Sequence, residues 1–518
     1  MEHEKSMKYP VGVQSFTEIR EREYVYVDKT KYIKLLLDTA KYIFLSRPRR
    51  FGKSLLLSTL HAFFEGRREL FSGLEIEKLA DTWEVHPVIH IDLNSENYSE
   101  EDGLKRKLYS IFEEYEKKYN ITDIKDSPAL RLEKIIREIH EQTGSQVVIL
   151  VDEYDKPLLE TEDNLKLFEK NQRILKSVFG LLKSMDRYIH FALLTGVARF
   201  NKVSIFSDMN NLKDISMLDK FSNIGGLTHE ELVSYFQPGI DAFARNIETT
   251  YQEALEKLKE YYDGYQFTPR GYRLYNPFSV LNALSDERLD RYWFQTGTPS
   301  FLIRRIKNAK IPLFTLNDAK SFKSGLVAVG VEDPNPIPIL FQTGYLTIKH
   351  TEGERYYLHF PNYEVETGFA EQLLPVYAPQ LNDLNGDFSI WEFQDDLASG
   401  DPEHFMKRLQ TMIKNVPYES HNELFYQNIV YILFTLSGAD TKLEEHSNRG
   451  RTDLIVRTAG YIYIFEFKYN GTAEEAIARI HDHDYAGRFA MDSRPIFLIG
   501  ANFSSSERGL EKWIIERE

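Results

Sequence analysis

An apolar run, Tyr42-Ile43-Phe44-Leu45, opens into Ser46-Arg47-Pro48-Arg49-Arg50-Phe51-Gly52-Lys53-Ser54 and passes directly into the helix-forming Leu55-Leu56-Leu57-Ser58-Thr59-Leu60. A short buried strand, a loop ending in Gly-Lys-Ser and a helix together form the layout of a nucleotide-binding P-loop. Such a turn binds phosphate because loop N–H groups and the unpaired N–H groups of the first helical turn point at the anion. Gly52 supplies close backbone approach, Lys53 would reach the terminal phosphates, and Ser54 would hold magnesium. Arg47 stands where the usual pattern has its first glycine. With Arg49 and Arg50 it adds positive charge that either serves the phosphates or holds neighbouring acids.

A second segment supplies the complement. Val147-Val148-Ile149-Leu150-Val151 leads into Asp152-Glu153-Tyr154-Asp155, which places carboxylates at the C-terminal end of a buried strand, the edge where doubly wound sheets bind ligands. Asp152 would hold magnesium and Glu153 would orient or deprotonate the attacking water. A third apolar run ends Leu193-Leu194-Thr195-Gly196-Val197-Ala198-Arg199. Thr195 is placed to sense a γ-phosphate, and Arg199 to contact nucleotide in cis or from a neighbouring copy. The expected cofactors are ATP and Mg²⁺, and the expected nucleotide-binding set is Arg49, Arg50, Phe51, Gly52, Lys53, Ser54, Asp152, Thr195 and Arg199.

Continuous apolar strands separated by charged amphipathic stretches, Leu104 to Tyr119 and Ala129 to Thr143, predict a parallel sheet covered on both faces. The fold class is therefore α/β, with a doubly wound P-loop domain over 9–226. From Leu227 the pattern turns helical behind a capped start at Thr228. The region 227–382 reads as a helical lid with a winged-helix-like module. A strand-like Leu340 to Ile348 is expected to pair there with Arg355 to Phe360. A polar stretch from Gln380 to Asp387 is the candidate linker, followed by a separate α/β domain over 388–518.

The last domain carries the second chemistry. Gly450-Arg451-Thr452-Asp453-Leu454-Ile455-Val456 is followed by Tyr461-Ile462-Tyr463-Ile464-Phe465-Glu466-Phe467-Lys468. Two-metal phosphodiester cleavage needs converging carboxylates and a cation near the attacking water. Strand alternation puts Glu466 and Lys468 on one face, and a turn at Thr458-Ala459-Gly460 would bring Asp453 alongside. Charges at the end of so apolar a strand are costly unless used. The catalytic candidates are Glu153 in the first site and Asp453, Glu466 and Lys468 in the second. The metal-ligand candidates are Ser54, Asp152, Glu423, Asp453 and Glu466. His481 and His483, interleaved with Asp482 and Asp484, point in different directions on a helix and predict a solvated face.

The formal net charge of −15 argues against coating nucleic acid by bulk charge, so any contact would use local basic patches. The absence of cysteine excludes disulfides, thiolate metal sites and cysteine nucleophiles. No apolar run approaches the ~20 residues of a membrane span, and the charged N-terminus lacks a secretion signal, so a cytoplasmic protein with no membrane partner is expected.

The chain resembles, over essentially its whole length, the bacterial family that pairs an AAA-ATPase-like N-terminal domain with a C-terminal nuclease-like domain of the PD-(D/E)XK class. The residues that carry the resemblance are Tyr9-Pro10-Val11-Gly12-Val13-Gln14-Ser15-Phe16, Val27-Asp28-Lys29-Thr30, Arg47 to Ser54, Val151 to Asp155, Phe341-Gln342-Thr343-Gly344-Tyr345-Leu346, and Asp453 with Glu466-Phe467-Lys468. The resemblance implies that Arg47 is normal for this loop and that Asp28-Lys29-Thr30 lies near the nucleotide. It also implies a restriction-endonuclease-like C-terminal fold. Gln427 stands where the family pattern has histidine, and Arg479 where many relatives have glutamine, a position that commonly contacts substrate or catalytic water. The leading expectation is an ATP-binding, ATP-hydrolysing protein that controls a magnesium-dependent nuclease acting on DNA. The alternative is a nucleotide-switched scaffold with an inactive nuclease fold. A second copy of the chain and other proteins stay open as partners.

Overall fold

The computed structural model describes residues 7–80, 83–200, 211–296, 300–327, 329–330, 334–378, 390–414, 422–438, 440–443, 446–447, 450–451, 454–507 and 509–518. The chain forms two compact units, one of Met1–Arg305 with Ala319–Glu364 and the other of Ile306–Asp318 with Val365–Glu518. The helical stretch that follows Leu227 thus shares a unit with the P-loop domain as far as Arg305.

The first unit is built on five parallel strands, β1 (Tyr42–Ser46), β2 (Val88–Asp92), β3 (Val147–Asp152), β4 (Ile189–Gly196) and β5 (Lys213–Asp214), in the order β2-β3-β4-β1-β5. Every residue of β3 is buried, which is why it reads as an unbroken apolar run. Helices Lys53–Phe64, Gly103–Lys118, Pro128–Thr143 and Leu165–Ser184 cover the sheet. Their inward stripes follow the helical period, as in Leu104, Leu108 and Phe112 or Leu132, Ile135, Ile136 and Ile139. Because β4 lies between β1 and β3, the loop leaving β1 faces the end of β3 across the Thr195-Gly196 terminus of β4.

Beyond this sheet, helices His229–Asn246, Tyr251–Tyr262 and Pro277–Asp286 share a core that includes Leu232, Phe236, Leu258 and Val280. The first starts at a capping box between Thr228 and Glu231, as its sequence predicts. Strands β6 (Ala319–Phe322), β7 (Thr347–Glu352) and β8 (Arg355–His359) form an antiparallel sheet in the order β6-β8-β7. The hairpin forms, but the strand expected from Leu340 does not: Ile337–Thr343 is a helix ended by Gly344 in the left-handed conformation. A short apolar run carries no period that separates helix from strand, and a buried helix won here.

The second unit contains β9 (Asp440–Leu443), a short antiparallel pair β10 (His446–Ser447) and β11 (Gly450–Arg451), then β12 (Leu454–Arg457), β13 (Ile462–Tyr469), β14 (Ile496–Ser504) and β15 (Gly509–Arg517). Its main sheet runs β15-β14-β13-β12-β9, parallel only between β13 and β14. Helices Ile390–Ser399, Pro402–Lys414 and Glu423–Leu436 cover one face through Phe393, Phe405 and Ile429, packed with Leu454, Tyr463 and Phe465. Helix Ala473–Asp482 covers the other through Ile477 and Ile480, packed with Ile462 and Ile464. Strand β15 is additional to the sequence reading. It is an edge strand whose Glu511, Lys512, Glu516 and Arg517 dilute its apolar signal.

Candidate nucleotide and phosphodiester sites

At the end of β1 the chain turns through Arg50 (φ 69°) and Gly52 (φ 81°) into helix Lys53–Phe64. The Lys53 ammonium is buried and donates to the Arg47 and Pro48 carbonyls, 3.0 Å each. Burial lowers its pKa, while the nearby Glu153, Asp152 and Asp155 carboxylates pull it back up. An ammonium held by loop carbonyls can exchange them for phosphate oxygens. The Ser54 hydroxyl donates to Asp152 Oδ2 at 2.6 Å, and Thr195 donates to Asp152 Oδ1 at 2.7 Å. Three elements distant in sequence therefore converge on one carboxylate. Hydroxyl and carboxylate oxygens at this separation are the hard donors magnesium takes, so these residues fit that ion.

Thr195 is fully buried, and its hydroxyl hydrogen is committed to orienting Asp152. Glu153 adopts φ 49° just past the strand and is half-buried, with its N–H directed to Asp152 Oδ1 at 3.1 Å. Arg199 pairs with Asp214 at 2.7 Å, and its N–H donates to Gln342 Oε1. Asp155 is buried and accepts from the Val197 and Ala198 N–H groups at 3.0 and 2.6 Å. Burial pushes its carboxyl up to about 7, against those backbone bonds.

The arginines of the loop divide the work. Arg47 turns inward, donating to the Ser46, Ser216 and Phe221 carbonyls and lying 4.6 Å from the Phe267 ring centre. It braces the loop from behind. Arg50 lies 4.5 Å over Phe278, and Arg49 is half-buried with its carbonyl accepting the Trp293 indole N–H at 3.3 Å. Phe51 is buried edge-on against Tyr265 and Phe267. Gly225 passes so close that a Cβ there would lie 2.4 Å from the Phe51 carbonyl oxygen. Trp293 is in turn fixed by the buried Glu364, which accepts its backbone N–H at 2.8 Å and the Ser279 hydroxyl. None of Gly225, Trp293 and Glu364 stands in a motif. Their role comes from long-range packing that no local pattern encodes.

Beside Gly52 opens an apolar cavity of about 110 Å³ lined by Val27, Lys29, Gly52, Leu56, Phe236 and Leu281, among others. Lys29 reaches Glu231 at 2.6 Å and Asn223, and burial brings its pKa down to about 8 despite the attraction of Glu231. Asp28 and Thr30 tie their turn to a distant segment, Asp28 accepting from the Thr30 and Glu75 N–H groups and the Thr30 hydroxyl from the Ile76 N–H.

In the second unit, Glu466 and Lys468 project from β13 toward helix Ala473–Asp482, while Phe467 packs with the opposite core. Glu466 has no exposed surface, and its Oε1 meets Lys468 Nζ and Arg479 Nη1 at 3.0 Å each. Asp453 lies outside the described residues. Leu454 stands opposite Phe465 in the antiparallel register. Glu423 is exposed in the first turn of its helix, behind the Asn422 cap. Among the described residues no group of three or more His, Asp or Glu gathers around a metal position. A divalent ion joining Glu466 would meet the positive charge of both Lys468 and Arg479. His481 accepts or donates at Glu516, 2.7 Å away, on the helix surface.

Residues 10–206 match the family model described as "Predicted AAA-ATPase", and residues 421–513 match the PD-(D/E)XK nuclease superfamily. Over 523 aligned residues the chain is 32% identical to an "Uncharacterized protein in vnfD 5'region" of Azotobacter chroococcum mcd 1, covering 98% of this chain and 99% of that one. No helix among the described residues is long and apolar enough to cross a membrane. With a P-loop on a parallel five-stranded sheet, a Glu-x-Lys strand in a second unit and these matches, the chain belongs to the family that joins a predicted AAA-ATPase domain to a PD-(D/E)XK nuclease superfamily domain.

Proposed function

We propose that this protein binds and hydrolyses ATP in its first unit and cuts DNA with its second, the nucleotide state governing the cut. The observation that carries the first half is the meeting of Ser54, Asp152 and Thr195 at the C-terminal edge of the sheet, beside a buried lysine. Magnesium held by Ser54 and Asp152 would neutralise charge between the outer phosphates. Lys53 leaves the Arg47 and Pro48 carbonyls for the terminal phosphate oxygens. Thr195 keeps Asp152 aimed, and Glu153 takes the proton of the attacking water. The apolar cavity at Gly52 suits a flat heterocyclic base, with Lys29, itself paired to Glu231, as a polar group at its wall.

In the second unit Asp453 and Glu466, with Glu423 as a further acid, are the residues that would hold metal. Lys468 is the cation that positions water at the scissile phosphate. The test is plasmid incubation with Mg²⁺ or Mn²⁺, with and without ATP, for wild type, Lys468→Ala and Lys53→Ala. Metal-dependent cutting lost in Lys468→Ala and changed by ATP except in Lys53→Ala supports the reading. No cutting under any condition removes it. The scaffold alternative is favoured by one observation, the double ion pair on Glu466, and would leave ATP turnover intact without cleavage.

A further inference from the structure

We propose that Arg479 is a latch on Glu466, holding the second site poor in metal until a DNA phosphate draws the guanidinium away. This deepens the nuclease reading and rests on it. Glu466 is a buried carboxylate bearing two cations on one oxygen, Lys468 and Arg479, each at 3.0 Å. A divalent ion bound to that carboxylate at about 2.1 Å would stand within a few ångströms of both, where like charges repel strongly in a poorly solvated place. While both cations stay, metal binding is weakened, and the departure of either one strengthens it.

The geometry selects Arg479. Its side chain is 40% exposed against 23% for Lys468, so solvent and ligands reach it first. It is also the side chain better matched to a phosphodiester, whose two oxygens accept the guanidinium fork side by side, whereas lysine is a point charge. Its position on Glu466 is built rather than incidental. The helix that carries it begins at a capping box between Thr472 and Glu475. That helix lies so close to β14 that a Cβ on Gly500, opposite Glu466 in the register, would sit 2.5 Å from the Ile477 nitrogen. Glutamine at 479 could hydrogen-bond the same carboxylate but would carry no charge to exclude metal. The latch therefore couples substrate to metal, and by linkage each must tighten the other by the same factor.

The test is Mn²⁺ binding to the full-length protein carrying Asp152→Asn, which silences the nucleotide site, with and without a short phosphorothioate DNA duplex. Without DNA, Arg479→Gln should bind Mn²⁺ at least about 10-fold more tightly than its parent, while Arg479→Lys, which keeps the charge, should stay near the parent. DNA should tighten the parent by a similar factor and Arg479→Gln far less. Equal Mn²⁺ affinities of parent and Arg479→Gln without DNA, or no effect of DNA on the parent, overturn the latch while leaving a metal site in place. Binding that survives Glu466→Gln places the metal elsewhere and overturns it as well. No Mn²⁺ binding in any sample overturns the nuclease reading and the latch with it.

Discussion

Replacing Gly225 by alanine tests whether the P-loop is held from outside as the packing implies. The added Cβ would lie 2.4 Å from the Phe51 carbonyl oxygen and 3.5 Å from its carbon, whereas ordinary contact begins at 3.4 Å. About 1 Å of movement is needed, and both partners are backbone, so no rotamer change relieves the clash. Overpacking of this kind costs about 1–3 kcal/mol. Movement taken up by the loop carries Lys53 and Ser54 away from Asp152, and a displacement of about 1 Å can cost on the order of 100-fold in a positioned reaction. Titration with a fluorescent ATP analogue alongside thermal unfolding separates the two effects. Gly225→Ala should lower Tm by a few degrees and weaken nucleotide binding at least about 10-fold. Gly180→Ala, inside helix Leu165–Ser184 with nothing within 4 Å of the new Cβ, should gain about 0.5–1 kcal/mol without affecting binding. Wild-type affinity and Tm in Gly225→Ala would refute the bracing.

Other outcomes follow from the same geometry. Glu153→Gln should retain ATP binding and lose hydrolysis by about 10²–10⁴-fold, the usual contribution of a positioned base; unchanged turnover would move the base elsewhere. The Trp293 indole reports on the loop through the Arg49 carbonyl, so ATP should change tryptophan emission in wild type and not in Trp293→Phe; an equal change in both places the sensor at another tryptophan. Glu364 is raised from 4.5 to about 8 by burial. Its protonated form thus contributes stability that is full below about pH 4.5 and lost as pH rises through about 8. Glu364→Gln cannot ionise and keeps an acceptor for Trp293, so its Tm should exceed that of wild type at pH 8 and converge with it near pH 4.5. A difference independent of pH would show the carboxyl to be ionised throughout.

The parts of this molecule that were legible in sequence are those in which chemistry sits at the end of a buried strand. Val147–Asp152 and Ile462–Lys468 are apolar until their last residues, so the polar side chains there stand out, and alternation assigns Glu466 and Lys468 to one face. Thr228 and Glu231 gave the helix start because a cap is local. What stayed hidden depends on distant partners. Arg47 could serve phosphate or structure until its acceptors at Ser216 and Phe221, some 170 residues on, were in view. Trp293 and Glu364 look like ordinary core residues, and only their contacts reveal a path to the loop. Leu340 to Ile348 reads as a strand, yet its first residues lie in the helix Ile337–Thr343, because a short buried helix and a buried strand share one composition. Arg479 was visible as a departure from the family pattern, but its grip on Glu466 was not.

The two proposed divalent-cation sites are tested together in a single crystal grown with a non-hydrolysable ATP analogue, Mn²⁺ and a phosphorothioate duplex. Anomalous scattering should mark one ion within bonding distance of Ser54 Oγ and Asp152, against a triphosphate cradled at Lys53, and a second at the Glu466 carboxylate with Arg479 turned to the DNA backbone. A triphosphate bound away from Lys53, or no ion at Glu466 with DNA present, would contradict it.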